Sequence, residues 1–110
     1  MLEVETVIID VPEIPTDLVG EMWLAFAFGR VLRALRKHRG YSQDSAAQLC
    51  GVDRTEISQF ERGKRIPTVV MILRLSSGLN VKPTSVFDAT MNVLLAVHDA
   101  QAVKGRRSKH

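Results

Sequence analysis

The sequence predicts an all-α protein, a helical bundle preceded by an extended arm and completed by an additional C-terminal helix. Its 110 residues suffice for one domain with a single core. Hydrophobic residues make up 45% of the chain and aromatic residues 5%, a balance that favours a helical bundle over a sheet. Apolar residues recur every three to four positions along most of the chain, as they do in amphipathic helices.

The first segment predicts a strand or an extended arm. Residues 2–11 are rich in β-branched side chains, partly alternate with polar ones and end at Pro12. Because a helical domain offers this segment no sheet, it pairs with its twin in a dimer, lies against the bundle or is disordered. Among these three alternatives we favour the dimer role.

A long helix is predicted after the arm. Thr16 or Asp17 caps it, and it continues to His38 unless Gly29 bends or breaks it. Apolar residues over 22–28 widen its inward face, which indicates either a larger core or a surface for a protein partner. The inward stripe consists of Leu18, Met22, Phe26, Leu32 and Leu35.

The segment 42–67 predicts two short helices joined by a tight turn. Ser42 is a good N-cap for the first helix, and Gly51 ends it where the backbone turns left-handed. Asp53 caps the second helix, which buries one face and exposes another. The outward residues can bond base edges or phosphates, so this helix suits the DNA major groove. They are Arg54, Thr55, Glu56, Ser58 and Gln59.

Residues 28–87 resemble the phage-repressor helix-turn-helix family, of the Cro and xenobiotic-response-element type. The resemblance implies a five-helix repressor-like bundle. It divides the chain into an arm with an accessory helix (1–27), the helix-turn-helix domain (28–87) and a C-terminal helix with a basic tail (88–110). The matching residues are Leu32, Leu35, Arg36, Tyr41, Ser42, Gln43, Ala47, Gly51, Val52, Ile57, Ser58, Phe60, Glu61, Arg62, Gly63, Lys64, Pro67, Ile72, Leu75, Leu79, Val81, Val86 and Phe87.

The resemblance also implies a role for each matching position. Gln43 touches a phosphate and braces the second short helix, while Arg36 and Glu61 form an ion pair between helices. Ala46 stands where the family has leucine and Ser76 where it has alanine, so we expect a less tightly filled core. The implied DNA-binding residues are Ser42, Gln43, Arg54, Thr55, Glu56, Ser58, Gln59, Arg62, Lys64 and Arg65.

Two features of the remaining sequence agree with DNA binding. The net charge of +3 is partitioned: residues 1–29 carry −6, residues 30–65 carry +5 and residues 104–110 carry +4. Phosphate binding predicts this pattern, although a solvated helix face also produces some of it. The apolar stretch after Phe87 predicts a final helix over about 88–103, a position at which relatives often dimerise.

The sequence offers no pattern typical of an enzyme, a cofactor site or a metal site. The histidines at 38, 98 and 110 lack metal-ligand spacing, and the single cysteine, Cys50, is expected to be a buried thiol. A lone cysteine favours a reducing compartment, and no apolar run approaches the roughly 20 residues that span a membrane. We therefore expect a cytoplasmic protein that is not an enzyme.

These features together predict a sequence-specific, DNA-binding transcriptional regulator. It acts as a homodimer on a palindromic operator, most often as a repressor. One alternative is the antitoxin of a toxin–antitoxin module, which binds its own operator and neutralises a toxin through residues 1–28. The other is a protein-binding adaptor that does not bind DNA.

Overall fold

The computed structural model describes residues 20–107 together with Val7 and Ile9, and it describes side chains as far as Asp99. Five helices account for most of these residues, so the all-α prediction is confirmed. The helices are α1 (Glu21–His38), α2 (Gln43–Cys50), α3 (Arg54–Glu61), α4 (Val69–Gly78) and α5 (Pro83–Arg107).

The predicted start and end signals of α2 are present. The Ser42 hydroxyl accepts a hydrogen bond from the backbone N–H of Ser45 at 3.0 Å, and so caps the helix. Gly51 ends α2 in the left-handed conformation, with φ 69° and ψ 36°. Asp53 occupies the N-cap position of α3, but its side chain makes no capping bond within the described part of the chain.

α1 begins later than predicted and does not break at Gly29. Gly20, with φ 55°, precedes its first residue, and the helix runs unbroken to His38. The predicted caps at Thr16 and Asp17 lie outside the described residues, as does most of the predicted strand. Val7 and Ile9 are the described residues of that strand: the first is buried in the core and the second packs against it.

The predicted helix over about 88–103 is present, but it is not separate from the helix that precedes it. A single helix, α5, extends from Pro83 to Arg107. Proline suits the first position of a helix, where its missing N–H has no partner to lose. From there to Gly105 the sequence contains neither glycine nor proline, so nothing interrupts the backbone hydrogen bonds.

The helices enclose one continuous core. α1 packs against α3 and α5, α2 packs against α3 and α4, and α4 packs against α5. Phe28 and Phe60 meet edge to face with 5.6 Å between ring centroids, joining α1 to α3. Nearer the N-terminus of α1, Trp23 stacks on His98 of α5 with 4.2 Å between ring centroids.

Most of the apolar segment 22–28 is covered by the protomer itself. Ala25, Ala27 and Phe28 are fully buried, and Phe26 is half-buried, whereas Met22 is 41% exposed. The larger-core interpretation accounts for this burial. Little of the segment is left as a surface for a partner.

Two glycines allow neighbouring helices to touch. A Cβ atom at Gly29 would overlap the carbonyl oxygen of Phe60, so α1 and α3 meet backbone to backbone. A Cβ atom at Gly78 would lie 2.7 Å from Cys50 Cα, which shows an equally close approach of α4 to α2. Glycine at these two positions therefore determines how tightly α2 and α3 are held.

The core contains a small cavity of about 10 Å³ near Ser76. This volume is at the lower limit for a single water molecule. The Ser76 hydroxyl donates to the carbonyl of Ile72 at 2.6 Å, so it is satisfied within its own helix. The cavity is lined by Phe28, Leu32, Leu35, Leu75, Ser76, Leu79, Val81 and Val86.

Candidate nucleic-acid interface

The second short helix, α3, has one buried and one accessible face. Ile57 and Phe60 are 0% and 1% exposed, and with Glu61 they form the buried face. Arg54 and Thr55, at the start of the helix, are exposed. The remaining outward positions are half-buried: Glu56, Ser58 and Gln59.

A buried ion pair lies beneath α3 and connects it to α1. Arg36 Nε donates to Glu61 Oε2 at 2.6 Å, and Arg36 Nη2 donates to Glu61 Oε1 at 2.9 Å. Arg36 Nη1 donates to the carbonyl of Tyr41 at 2.8 Å. This two-pronged geometry is the strongest that arginine makes with a carboxylate, so it fixes the C-terminal end of α3.

The same pair affects the ionisation of its arginine. The hydrogen bonds to the Glu61 carboxylate raise the pKa of Arg36 above its already high ordinary value, while burial acts in the opposite direction. Arg36 therefore remains charged at any physiological pH. The positive member of the ion pair is consequently charged under all conditions in which the protein would bind DNA.

Gln43 joins this network from the first turn of α2. Its side-chain Nε2 donates to Glu61 Oε1 at 3.3 Å. The predicted bracing of α3 is thus a direct hydrogen bond, made by a residue that also lies next to the accessible N-terminus of α2.

Two further ion pairs lie on the accessible side of the site. Arg54 Nε is 3.5 Å from Asp44 Oδ1, which links α3 to α2. Arg65 Nη1 is 3.6 Å from Glu56 Oε2, and its guanidinium also lies over the Phe60 ring at 5.2 Å. Sequence reasoning missed Asp44 as a site residue, because an acid in the first turn of a helix is explained by the helix dipole alone.

The loop after α3 presents the remaining basic residues. Gly63, with φ 69°, lets the chain turn, and the backbone N–H of Lys64 donates to the carbonyl of Gln59 at 2.9 Å. Arg62 and Lys64 are exposed. The ten predicted DNA-binding residues therefore lie on three adjoining pieces of the fold: the N-terminus of α2, the outer side of α3 and this loop.

Cys50 lies away from this surface, between α2 and α4. It is 4% exposed, and burial raises the pKa of its thiol above the ordinary value. Within the described residues, no three His, Cys, Asp or Glu side chains are grouped as metal ligands would be. None of the described helices is long and apolar enough to cross a membrane.

Residues 32–86 match the family described as HTH_3, Helix-turn-helix, which is half of the chain. The chain therefore belongs to this helix-turn-helix family, and the resemblance inferred from the sequence is confirmed.

Named relatives within the family are transcriptional regulators and controller proteins. The HTH-type transcriptional regulator SutR of Escherichia coli K12 is 31% identical over 71% of this chain, which spans 44% of SutR. The solved controller protein C.AhdI from Aeromonas hydrophila is 39% identical, with a TM-score of 0.55, over 56% of this chain and 94% of C.AhdI.

A second controller protein has been solved on DNA. C.Esp1396I, described as a tetramer in complex with its natural 35 base-pair operator, is 28% identical with a TM-score of 0.60. The match covers 66% of this chain and 95% of C.Esp1396I. This chain thus resembles the controller proteins over almost their whole length but less than half of SutR.

Proposed function

We propose that this chain binds a specific sequence of duplex DNA through α3 and regulates transcription, most simply as a repressor. The observation that supports this proposal is an exposed polar helix whose underside is fixed by the Arg36–Glu61 pair. Because α3 is already held in place, binding DNA does not require the loss of conformational entropy that ordering a mobile helix would cost. Its proposed location is the cytoplasm.

Each side chain of the site has a proposed partner on the DNA. Arg54 reads a guanine, since its guanidinium matches the O6 and N7 acceptors, and Gln59 reads an adenine. The Thr55 methyl packs against a thymine methyl. Phosphates are held by the residues that surround α3, which fix the register of the helix in the groove. These are Ser42, Gln43, Arg62, Lys64 and Arg65.

The protein acts as a two-fold dimer on a palindromic operator. One α3 from each subunit enters successive major grooves, about 34 Å apart along one face of the duplex. The assembly of C.Esp1396I on its operator supports this arrangement. A dimer needs a contact surface that leaves α2 and α3 free.

An apolar ridge on α4 meets that requirement. Val69, Val70 and Leu73 are 72%, 65% and 51% exposed. Val69 and Leu73 lie roughly 180° and 140° around the helix from Gly78, which faces α2, so the ridge points away from the DNA-binding helices. α4 carries a single charge, at Arg74, so two copies can meet here with little repulsion. A second copy of this chain is therefore the proposed occupant.

Sedimentation of charged variants tests the dimer surface. Leu73→Glu is expected to shift the protein to monomer, because a carboxylate would be buried against an apolar partner. Leu49→Glu is the matched control, since Leu49 is 52% exposed on α2, outside the ridge. Equal dimer populations in the two variants would show that the dimer interface lies outside the α4 ridge.

Selection of bound sequences from a random duplex pool tests the function itself. A two-fold symmetric motif is expected, and its half-site spacing measures the dimer. Arg54→Ala or Gln59→Ala should each cost about 1–3 kcal/mol of binding and relax the preference at one base position. Lys64→Ala should weaken binding to all DNA alike and reduce the salt slope by about one unit.

The same experiment separates the alternatives. Recovery of no motif, with binding insensitive to salt, contradicts DNA recognition and favours the protein-binding adaptor. A symmetric motif together with a tightly bound protein partner would favour the antitoxin. Capture of that partner should then depend on residues 1–28.

A further inference from the structure

Two consecutive residues in the first turn of α2 reach opposite ends of α3. Gln43 donates to Glu61, the last residue of α3, at 3.3 Å. Asp44 lies 3.5 Å from the Nε atom of Arg54, the first residue of α3. The first contact is partly buried, whereas the second is on the surface, where the side chains of Arg54 and Asp44 are 65% and 73% exposed.

Asp44 lies closest to Nε of Arg54, the guanidinium nitrogen nearest the stem of the side chain. Within the described residues, no hydrogen bond is donated by the two terminal nitrogens of Arg54. These are the donors with which an arginine binds a guanine in a bidentate manner. The N-terminal residues of a recognition helix are also the ones that reach base edges. The ion pair therefore leaves the reading end of the side chain available while restricting its stem.

We propose that Asp44 is a specificity-determining residue, which orients the Arg54 side chain toward its base pair. This inference rests on the proposed function and deepens it. Without the carboxylate, the long Arg54 side chain samples many rotamers and can bond any nearby phosphate. With the carboxylate, those orientations are disfavoured, and the guanine contact requires less ordering.

A negative charge at a DNA surface has a second effect, of opposite sign. It repels phosphates, so Asp44 lowers the affinity for all DNA while it increases discrimination at one base pair. A residue that merely stabilises α2 through the helix dipole would also repel phosphates, but it would not alter discrimination once the protein is folded. This difference allows the two roles to be separated by measurement.

Asp53 provides a matched control. It directly precedes Arg54, is exposed, and occupies the N-cap position of α3 with no capping bond in the described residues. Asparagine is as good an N-cap as aspartate, so the helix keeps its start. Asp53→Asn therefore removes the same charge beside Arg54 without removing the ion pair that Asp44 makes with this arginine.

The experiment compares Asp44→Asn, Asp53→Asn and the unchanged protein on three duplexes. These are the selected operator, the operator altered at the base pair whose preference Arg54→Ala relaxes, and a random duplex. Asp44→Asn should reduce discrimination between the first two by up to about fivefold, the upper limit for an exposed ion pair. Asp53→Asn should leave this ratio unchanged. Both variants should bind the random duplex more tightly.

A double-mutant cycle establishes whether Asp44 acts through Arg54. In the Arg54→Ala background, Asp44→Asn should change discrimination no further. Full discrimination in Asp44→Asn alone, or an equal loss in both backgrounds, would overturn the inference. If the unchanged protein prefers no sequence at all, the proposed function fails instead. Melting curves and active-fraction titrations ensure that the compared variants are equally folded.

Discussion

Glu61 is the residue on which the position of α3 most depends. Its carboxylate accepts from Arg36 Nε, from Arg36 Nη2 and from Gln43 Nε2, and it is 7% exposed. One acidic group therefore connects α1, α2 and α3. Burial of two charges is costly, so the value of the pair lies less in net stability than in the penalty for removing one member.

Glu61→Ala should lower the free energy of unfolding by about 3–5 kcal/mol, because Arg36 would remain charged and buried without its partner. Urea denaturation measures the change. Asp44→Asn is the control, since its exposed ion pair contributes about 1 kcal/mol or less. Equal midpoints for Glu61→Ala and the unchanged protein would mean that water replaces the carboxylate without cost.

Cys50 predicts a dependence of stability on pH. Burial raises the pKa of its thiol above the ordinary value of 9.0, so the unfolded thiol ionises at a lower pH than the folded one. The contribution of Cys50 is fully present below about pH 9, and it is lost as the pH rises through the folded pKa. The difference in unfolding free energy between the unchanged protein and Cys50→Ala should therefore decrease above pH 9. A difference independent of pH would show that the thiolate is tolerated.

At the level of the helices, the contact of α1 with α3 at Gly29 leaves no room for a side chain. An alanine in the middle of a helix normally stabilises it by about 0.5–1 kcal/mol relative to glycine. Here the added Cβ would overlap the Phe60 carbonyl and lie 3.1 Å from the Glu61 carbonyl. The backbone contact reverses the usual preference.

Gly29→Ala should therefore destabilise the protein and weaken operator binding, because α3 must move away from α1. Thermal unfolding and operator affinity measure the two effects. Ala34→Gly, in the same helix at a half-buried position, should lower stability by about 0.5–1 kcal/mol with unchanged operator affinity. Stabilisation by Gly29→Ala would show that the helices separate freely.

The sequence predicted some helices better than others, for identifiable reasons. Ser42 and Gly51 each act on their own backbone, so the ends of α2 could be located without knowledge of the rest of the fold. Gly29 looked like a possible break, because its role depends on a helix 31 residues further along the chain. The continuity of α5 was missed because the family pattern ends at Phe87, although no helix-breaking residue follows it.

The candidate site was predicted in the same uneven way. The outward residues of α3 follow from helical periodicity, which one sequence reveals. The Asp44–Arg54 contact depends on the angle between α2 and α3, which local patterns do not contain. The packing of α1 against α5 likewise depends on the tertiary fold. The apolar segment 22–28 therefore did not reveal which helix would cover it.

For the whole molecule, the extension of α5 belongs to the core of the DNA-binding domain. Val93 and Val97 are 7% and 0% exposed, and they share one cluster with Phe28 and Phe60. The predicted domain boundary at Phe87 falls inside α5. Residues on both sides of this boundary, such as Val86 and Val93, pack in the same core. Removal of the extension would expose the N-terminal half of α1.

Val97→Ala should consequently lower the free energy of unfolding of the entire domain by about 2 kcal/mol, with a single transition. Circular dichroism and Trp23 fluorescence, recorded on the same samples, should give the same midpoint. Leu95→Ala, at a position 57% exposed, is the control and should change stability by less than about 1 kcal/mol. Two separate transitions would show that the extension folds on its own.

The pairing of α1 with α5 also sets the order of events during protein synthesis. The DNA-binding helices emerge from the ribosome early, but the cluster that supports them lacks Val93 and Val97 until the far part of α5 has been made. At about 5–20 residues per second, several seconds pass between the two. A nascent chain that has exposed α3 is therefore not yet able to hold it in place. Under the proposed function, the chain would bind its operator only after α5 has been made and has packed against α1.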